Sequence, residues 1–138
     1  MEKLSVVPDV VMFDGHGIAH PRGFGLASHL GLWLDLPSIG CAKSRLVGDY
    51  REPGPDAGEE EPLVFKGKII GMVLRTKRRV RPVFISPGHR ISLARARDVA
   101  RWCCCGYRIP EPVRQAHLAV NRLRLAGGIA NGELRRCR

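Results

Sequence analysis

No apolar run in this 138-residue sequence is long enough to cross a bilayer. The longest stretch without Asp, Glu, Lys or Arg, Gly23 to Leu34, has twelve residues, against about 20 for a spanning helix. The first residues also lack a basic region followed by an apolar stretch and a small-residue cleavage site, so the expectation is a cytoplasmic chain with no membrane association. A Cys-x-x-Cys pair is absent too. The cysteines, Cys41, Cys103, Cys104, Cys105 and Cys137, are odd in number, and three are adjacent. This excludes the usual zinc-finger spacing. Adjacent helical residues point in different directions, so these three cannot pair without strain. They read as reduced thiols filling a small apolar helix face. Aromatic residues are scarce at 6%. Trp33 and Trp102 are expected in the core, and with Tyr107 they are the available base-stacking side chains.

Acidic residues are scarce in one half only. Residues 1–74 carry 7 basic and 10 acidic residues, a net charge of −3, whereas residues 75–138 carry 16 basic and 3 acidic, a net charge of +13. A field of one sign concentrated in this way attracts polyanions. Nucleic acid and an anionic membrane surface are the two candidate classes. No amphipathic basic helix with aromatic anchors stands out, which favours nucleic acid. The 44% hydrophobic content is that of a globular domain, and a chain of this length can bury roughly two-thirds of its surface.

Val6 to Phe13 is an apolar, β-branched run ending at Asp14-Gly15-His16-Gly17. Such a run suits a strand buried on both faces. Leu26, Leu30 and Trp33/Leu34 recur at helical spacing and predict a helix over 24–35. Residues 36–42 read as a second strand, followed by Lys43-Ser44-Arg45-Leu46. Residues 49–62 form an acidic, Pro/Gly-rich loop expected to be mobile. Strands over 63–65 and 69–75 flank a tight turn at 66–68, and 82–86 is the last strand, ending at Pro87-Gly88-His89-Arg90. Ser92 is placed to cap a helix over 93–105. A second helix begins near Pro110 or Glu111 and runs to about Arg124. No internal repeat is present. The order β-α-β-β-β-β-α-α predicts an α/β mixed sheet. The expected organisation is one domain over residues 1–125 and a flexible basic tail over 126–138.

Asp14, Lys43 and His89 each follow a predicted strand. If the strands lie with those ends together, the three converge. A carboxylate that binds Mg²⁺, a lysine that steadies a phosphate and a histidine that handles a proton suit phosphodiester hydrolysis. Each has a plainer reading: Asp14 as a turn residue, Lys43 as a surface lysine, His89 as a loop histidine. The glycines beside Asp14 would let a substrate approach the backbone. His16 and His20 are four apart, but Gly17 and Pro21 argue against a helical metal pair. His29 and His117 lie in predicted helices and read as structural or exposed. The run Arg75 to Arg81 reads as a solvated turn or a nonspecific phosphate contact.

Five blocks together resemble one family. Asp-Gly-His-Gly-Ile-Ala-His-Pro-Arg (14–22), Gly-Leu-Ala-Ser-His-Leu-Gly (25–31), Ala-Lys-Ser-Arg-Leu (42–46), Ser-Pro-Gly-His-Arg-Ile-Ser (86–92) and Gly-Tyr-Arg-Ile-Pro-Glu-Pro (106–112) are similar, in order, to endonuclease V, the deoxyinosine 3′ endonucleases. The resemblance spans about residues 5–124. It implies a ribonuclease H-like mixed sheet with flanking helices. It implies Mg²⁺-dependent hydrolysis, with Mn²⁺ as a substitute, of the second phosphodiester bond 3′ of deoxyinosine in DNA, by a monomer. Some relatives act on inosine in RNA. By position, Asp14 matches the metal-binding aspartate, His89 a histidine near the metal and Lys43 a lysine beside the cleaved phosphate. His20 matches a histidine at the product end, and Gly15 and Leu46 match residues lining the pocket of the everted base.

The sequence also departs from the family. Its members have a longer N-terminal part carrying a first-strand aspartate, a Pro-Tyr-Ile-Pro-Gly-like wedge and a catalytic glutamate, none of which occurs here. The expectation is therefore a sheet lacking its N-terminal strands and a chain of weak or no activity by itself. The rival expectation is a non-catalytic, basic nucleic-acid-binding remnant.

Overall fold

Two of the predicted strands, mostly apolar, uncharged and bounded by turn residues, become the centre of the sheet. A computed structural model describes residues 5–126. The described elements are β1 (Val11–Phe13), α1 (Leu26–Leu34), β2 (Ser38–Ala42), β3 (Glu60–Phe65), β4 (Lys68–Leu74), β5 (Val83–Pro87), α2 (Leu93–Trp102) and α3 (Glu111–Ala126). The strands form one five-stranded sheet in the order β1-β2-β5-β4-β3. β2 and β5 are buried at all positions, as continuous apolar strands demand. β1 runs parallel to β2, and every other neighbouring pair is antiparallel. The predicted element order and the mixed sheet are therefore present.

Alternation along the central strands divides the core between the two sheet faces. Ile39, Cys41, Val83 and Ile85 pack with Leu74 against Ala96, Ala100 and Val113 of α2 and α3. Ala42 and Phe84 face the other way, with Leu63, Ile70, Val73 and Ala19. The small alanines of α2 let that helix lie close to the sheet. Ser92 caps α2 as predicted, its Oγ accepting from Arg95 N at 3.1 Å.

Several boundaries differ from the sequence reading for physical reasons. β1 is only Val11–Phe13, and Val6 and Val7 are exposed; pairing with β2 begins at Val11↔Ser38. β3 begins at Glu60, inside the acidic stretch, because Arg101 and Arg97 of α2 form ion pairs with that carboxylate at 2.6 and 3.8 Å. Pro62 is tolerated since β3 is an edge strand. The β3–β4 turn is the two residues Lys66 and Gly67, both at positive φ, as a tight hairpin requires.

The acidic loop is tied down rather than free. The Arg75 guanidinium donates to Gly54 O, Pro53 O, Val80 O and the Glu52 carboxylate. α2 stops at Trp102, short of residue 105, so Cys103 is its C-cap and Cys105 is exposed. Of that trio only Cys104 packs against the core, and burial pushes its thiol up to about 11. Both tryptophans lie outside the core, Trp33 81% and Trp102 86% exposed. The expected basic tail lies, from residue 127 onward, outside the described residues.

Ile85 sits in the central strand, fully buried beneath α2. Ile85→Ala is expected to destabilise the chain by about 2–5 kcal/mol, through lost burial and the cavity left behind. Urea unfolding measures this, and a loss below about 0.5 kcal/mol, typical of surface positions, would contradict the packing described.

Candidate active site

Parallel pairing of β1 and β2 places their carboxyl ends on one side of the sheet. Asp14 follows β1 directly and Lys43 follows β2 directly. Lys43 Nζ lies 3.7 Å from Asp14 Oδ2. Two of the three convergent residues expected from the sequence are thus brought together, at the kind of edge where α/β sheets collect their sites.

His89 is not the third. β5 runs antiparallel to β2, so its end meets the start of β2. His89 N donates to Ser38 Oγ at 2.8 Å, and Ser38 N donates to His89 O at 2.8 Å. Its imidazole meets Asp35 Oδ1 at 3.1 Å, with Arg90 on the same oxygen at 3.4 Å. Ser38 and Lys43 are separated by about 15 Å along an extended strand. A strand end shared by all three residues is excluded because β5 runs opposite to β1 and β2.

The imidazole at Asp14 comes from α3. His117 Nε2 lies 3.0 Å from Asp14 Oδ2. The sequence reading set His117 aside as structural or exposed. The signal that could have found it is its position on the helix following the Gly-Tyr-Arg-Ile-Pro-Glu-Pro block, but only tertiary packing brings it to residue 14. The Asp14 carboxylate therefore has a cation and an imidazole on one oxygen, while its side chain stays 41% exposed.

Two further residues hold the loops of this site. His16 Nε2 meets Ser44 O at 2.9 Å, linking the loop that carries Asp14 and Gly15 to the one that carries Lys43 and Leu46. Burial, opposed by the Ser44 bond, holds the His16 pKa below its ordinary value. The neutral ring donates from Nε2. Its Nδ1 is buried with no hydrogen-bond partner among the described residues. Arg108, between α2 and α3, donates to Lys43 O at 2.7 Å, Arg81 O at 2.8 Å and Pro82 O at 3.1 Å. Neither role was legible without the fold.

Gly15 N donates to Cys41 O at 3.2 Å, continuing the β1–β2 pairing. Leu46 is 52% exposed. The His20 ring accepts from Arg22 N at 3.1 Å and is half-buried. Gly17 is buried, not open to a ligand: a Cβ on Gly40 would lie 2.5 Å from Gly17 N, so the glycine there permits close packing of loop on strand.

Asp14 is the carboxylate available to a metal ion here, with the His117 imidazole on it, and no group of three or more His, Cys, Asp or Glu fit to hold a metal occurs among the described residues. This set fits a hard divalent cation that takes one carboxylate from the protein and completes its shell with water and phosphate oxygens.

The chain matches the sequence model of the family described as Endonuclease V over residues 1–118. It is 58% identical over 118 residues to Endonuclease V of Methanothrix thermoacetophila, covering 85% of this chain and 53% of that protein. The solved structure of Endonuclease V from Bacillus subtilis superposes with a TM-score of 0.88 at 34% identity, covering 94% of this chain and 56% of that one. Endonuclease V of Ciona intestinalis, solved with a 24mer DNA containing an inosine followed by a ribo-adenosine, gives 0.73 at 29% identity, covering 86% and 56%. The chain thus spans about half the length of the relatives it matches, and its sheet is the ribonuclease H-like sheet of those structures.

The buried His16 makes stability depend on pH. Its folded pKa lies below the ordinary 6.5, so the unfolded chain takes up a proton that the folded one resists. The contribution is fully present above that value and is lost as the pH falls below it. Urea midpoints should fall between pH 7 and pH 5 less steeply in His16→Gln, which can still donate to Ser44 O, than in the parent. Equal slopes would contradict the assignment.

Proposed function

The chain belongs to the endonuclease V family, and from that premise we propose that it forms the catalytic part of a metal-dependent endonuclease cleaving the second phosphodiester bond 3′ of deoxyinosine in DNA. The observation that carries the reading is the meeting of Asp14, Lys43 and His117 at the end of two parallel strands. Asp14 would hold Mg²⁺, or Mn²⁺ in its place, which when bound would supply Lewis-acid stabilisation of a phosphate and a more acidic water. Lys43 places a positive charge where the oxygens of the pentacoordinate phosphorus gather negative charge. His117, with one ring nitrogen on Asp14, is oriented to take or return a proton at the other.

Gly15 and Leu46 flank this centre and form part of the pocket for the everted base. His20 contacts the product side. His89, tied to Asp35 and Ser38, has a positioning role through the β2–β5 end rather than a place at the metal. The protein works as a cytoplasmic monomer over one catalytic domain, residues 1–125, with a basic tail. Inosine-containing RNA is the alternative substrate, since the metal, lysine and histidine address the phosphate and not the sugar.

A second reading has its own support. With Asp14 as the one carboxylate for a metal and no group of three or more such ligands among the described residues, this chain by itself is a weak catalyst or only a binder of nucleic acid.

The 138-residue chain is expected to nick a deoxyinosine duplex slowly in Mg²⁺ or Mn²⁺, with Asp14→Ala at background and His117→Ala about 100-fold slower, the lower range for a general acid–base group. Gel analysis of end-labelled duplex reads this. Nicking that survives Asp14→Ala, or that ignores inosine, would overturn the catalytic reading. Rapid turnover by this chain would overturn the claim of weakness. Salt-dependent binding with no nicking would leave the second reading standing.

A further inference from the structure

Lys43 also lines a cavity of about 460 Å³, together with Arg45, Glu52, Arg75, Arg79 and Arg81. Its charges divide into two groups. Arg75 is saturated, its guanidinium bonded to three carbonyls and the Glu52 carboxylate. Arg45 has Asp49 at 3.7 Å. Arg79 and Arg81 are exposed, and neither has an acidic partner within 4.0 Å among the described residues. The one nearby acid that lines the cavity, Glu52, is already engaged by Arg75.

The backbone shows that this presentation is built in. Arg79 has φ +60°, the left-handed region that a β-carbon disfavours. It is held there by its N–H donating to Pro55 O at 2.9 Å. Arg81 is anchored through its carbonyl, which accepts from Arg108 Nε at 2.8 Å. Arg108 also holds the Lys43 carbonyl at 2.7 Å, so the two cationic loops are fixed relative to each other. Within the same basic run, Arg78 turns away to pair with Asp56. The turn thus separates its arginines: one is structural, one is neutralised, and two are left to the cavity beside Lys43.

We infer that this cavity is a phosphate track, in which Arg79 and Arg81 hold backbone phosphates of the nucleic-acid strand flanking the bond at Lys43. The inference rests on the nucleic-acid reading proposed above. A cavity of this size admits more than one phosphate, and phosphodiester is the ligand that could bridge from Lys43 to two unpaired guanidiniums. Such contacts give affinity without reading sequence.

The test is the salt dependence of binding by the 138-residue chain. Labelled DNA and RNA duplexes, each containing one inosine, are titrated by fluorescence anisotropy over a range of KCl concentrations. The double variant Arg79→Gly/Arg81→Ala should keep its fold, since glycine accepts the Arg79 conformation without strain. Its thermal midpoint is measured alongside. The control, Lys66→Ala/Lys68→Ala, removes the same charge from the far end of β4, about 20 Å from Arg75 along the strand.

The slope of log K against log[KCl] is expected to shrink by about 2 in the arginine variant, one unit for each lost phosphate contact, and to stay at the parental value in the control. A drop on one duplex only assigns the track to that nucleic acid. Equal drops in both variants would mean a diffuse field and overturn the inference, as would an unchanged slope in the arginine variant. Loss of binding to phosphatidylserine vesicles with an unchanged nucleic-acid slope would assign the cavity to lipid headgroups and overturn it as well. A parent chain that binds neither duplex would instead bring down the nucleic-acid reading itself.

Discussion

The parallel pairing of β1 with β2 is the constraint on which the rest depends. It is the only parallel pair among the described strands. Because both strands run the same way, the residues after them, Asp14 and Lys43, are set on one edge, 3.7 Å apart at their charged atoms. Everything else at the site attaches to that pair. His16 ties the two loops together through Ser44 O. α3 lays His117 on the same carboxylate oxygen. Arg108 fixes the Lys43 backbone from the α2–α3 connection. A register slip of one residue between β1 and β2 would put Asp14 or Lys43 on the wrong face and dissolve the site.

That dependence explains what could and could not be read from the sequence. The element order was legible because the central strands are short, uncharged and mostly apolar runs and the helices have helical spacing. Asp14 and Lys43 were legible as residues just past strands. His89 looked equivalent, but strand direction is not encoded in a short apolar run. β5 is reached from β2 through the β3–β4 hairpin and so returns antiparallel, which carries His89 to Asp35. His117 was invisible for the opposite reason: it is 103 residues from Asp14, and nothing local marks a helical histidine as a partner. Hydrophobicity alone points Trp33 and Trp102 to the core, yet α2 meets the sheet through Ala96 and Ala100 with Trp102 outside, and Trp33 stands exposed on α1.

The electrostatics have the same shape. The acidic first half and basic second half do not form two separate lobes. Arg75, Arg78, Arg97 and Arg101 reach back to Glu52, Asp56 and Glu60, so part of the +13 of the second half is spent on holding the acidic loop and β3 in place. Of the described arginines without an acidic partner, Arg79 and Arg81 line the cavity beside Lys43. The Asp14 carboxylate thus has cationic groups around it, as the proposed phosphodiester substrate would require.

The central claim is that Asp14 and His117, rather than His89, mark the metal-facing end of the sheet. Paramagnetic broadening by Mn²⁺ tests it most directly. In a ¹⁵N-labelled chain, small additions of Mn²⁺ should broaden the amides of Gly15, Ser44 and His117 first and leave Ser38 and His89 sharp. Broadening centred on His89 and Asp35, or none that is selective and removed by Asp14→Ala, would contradict the account.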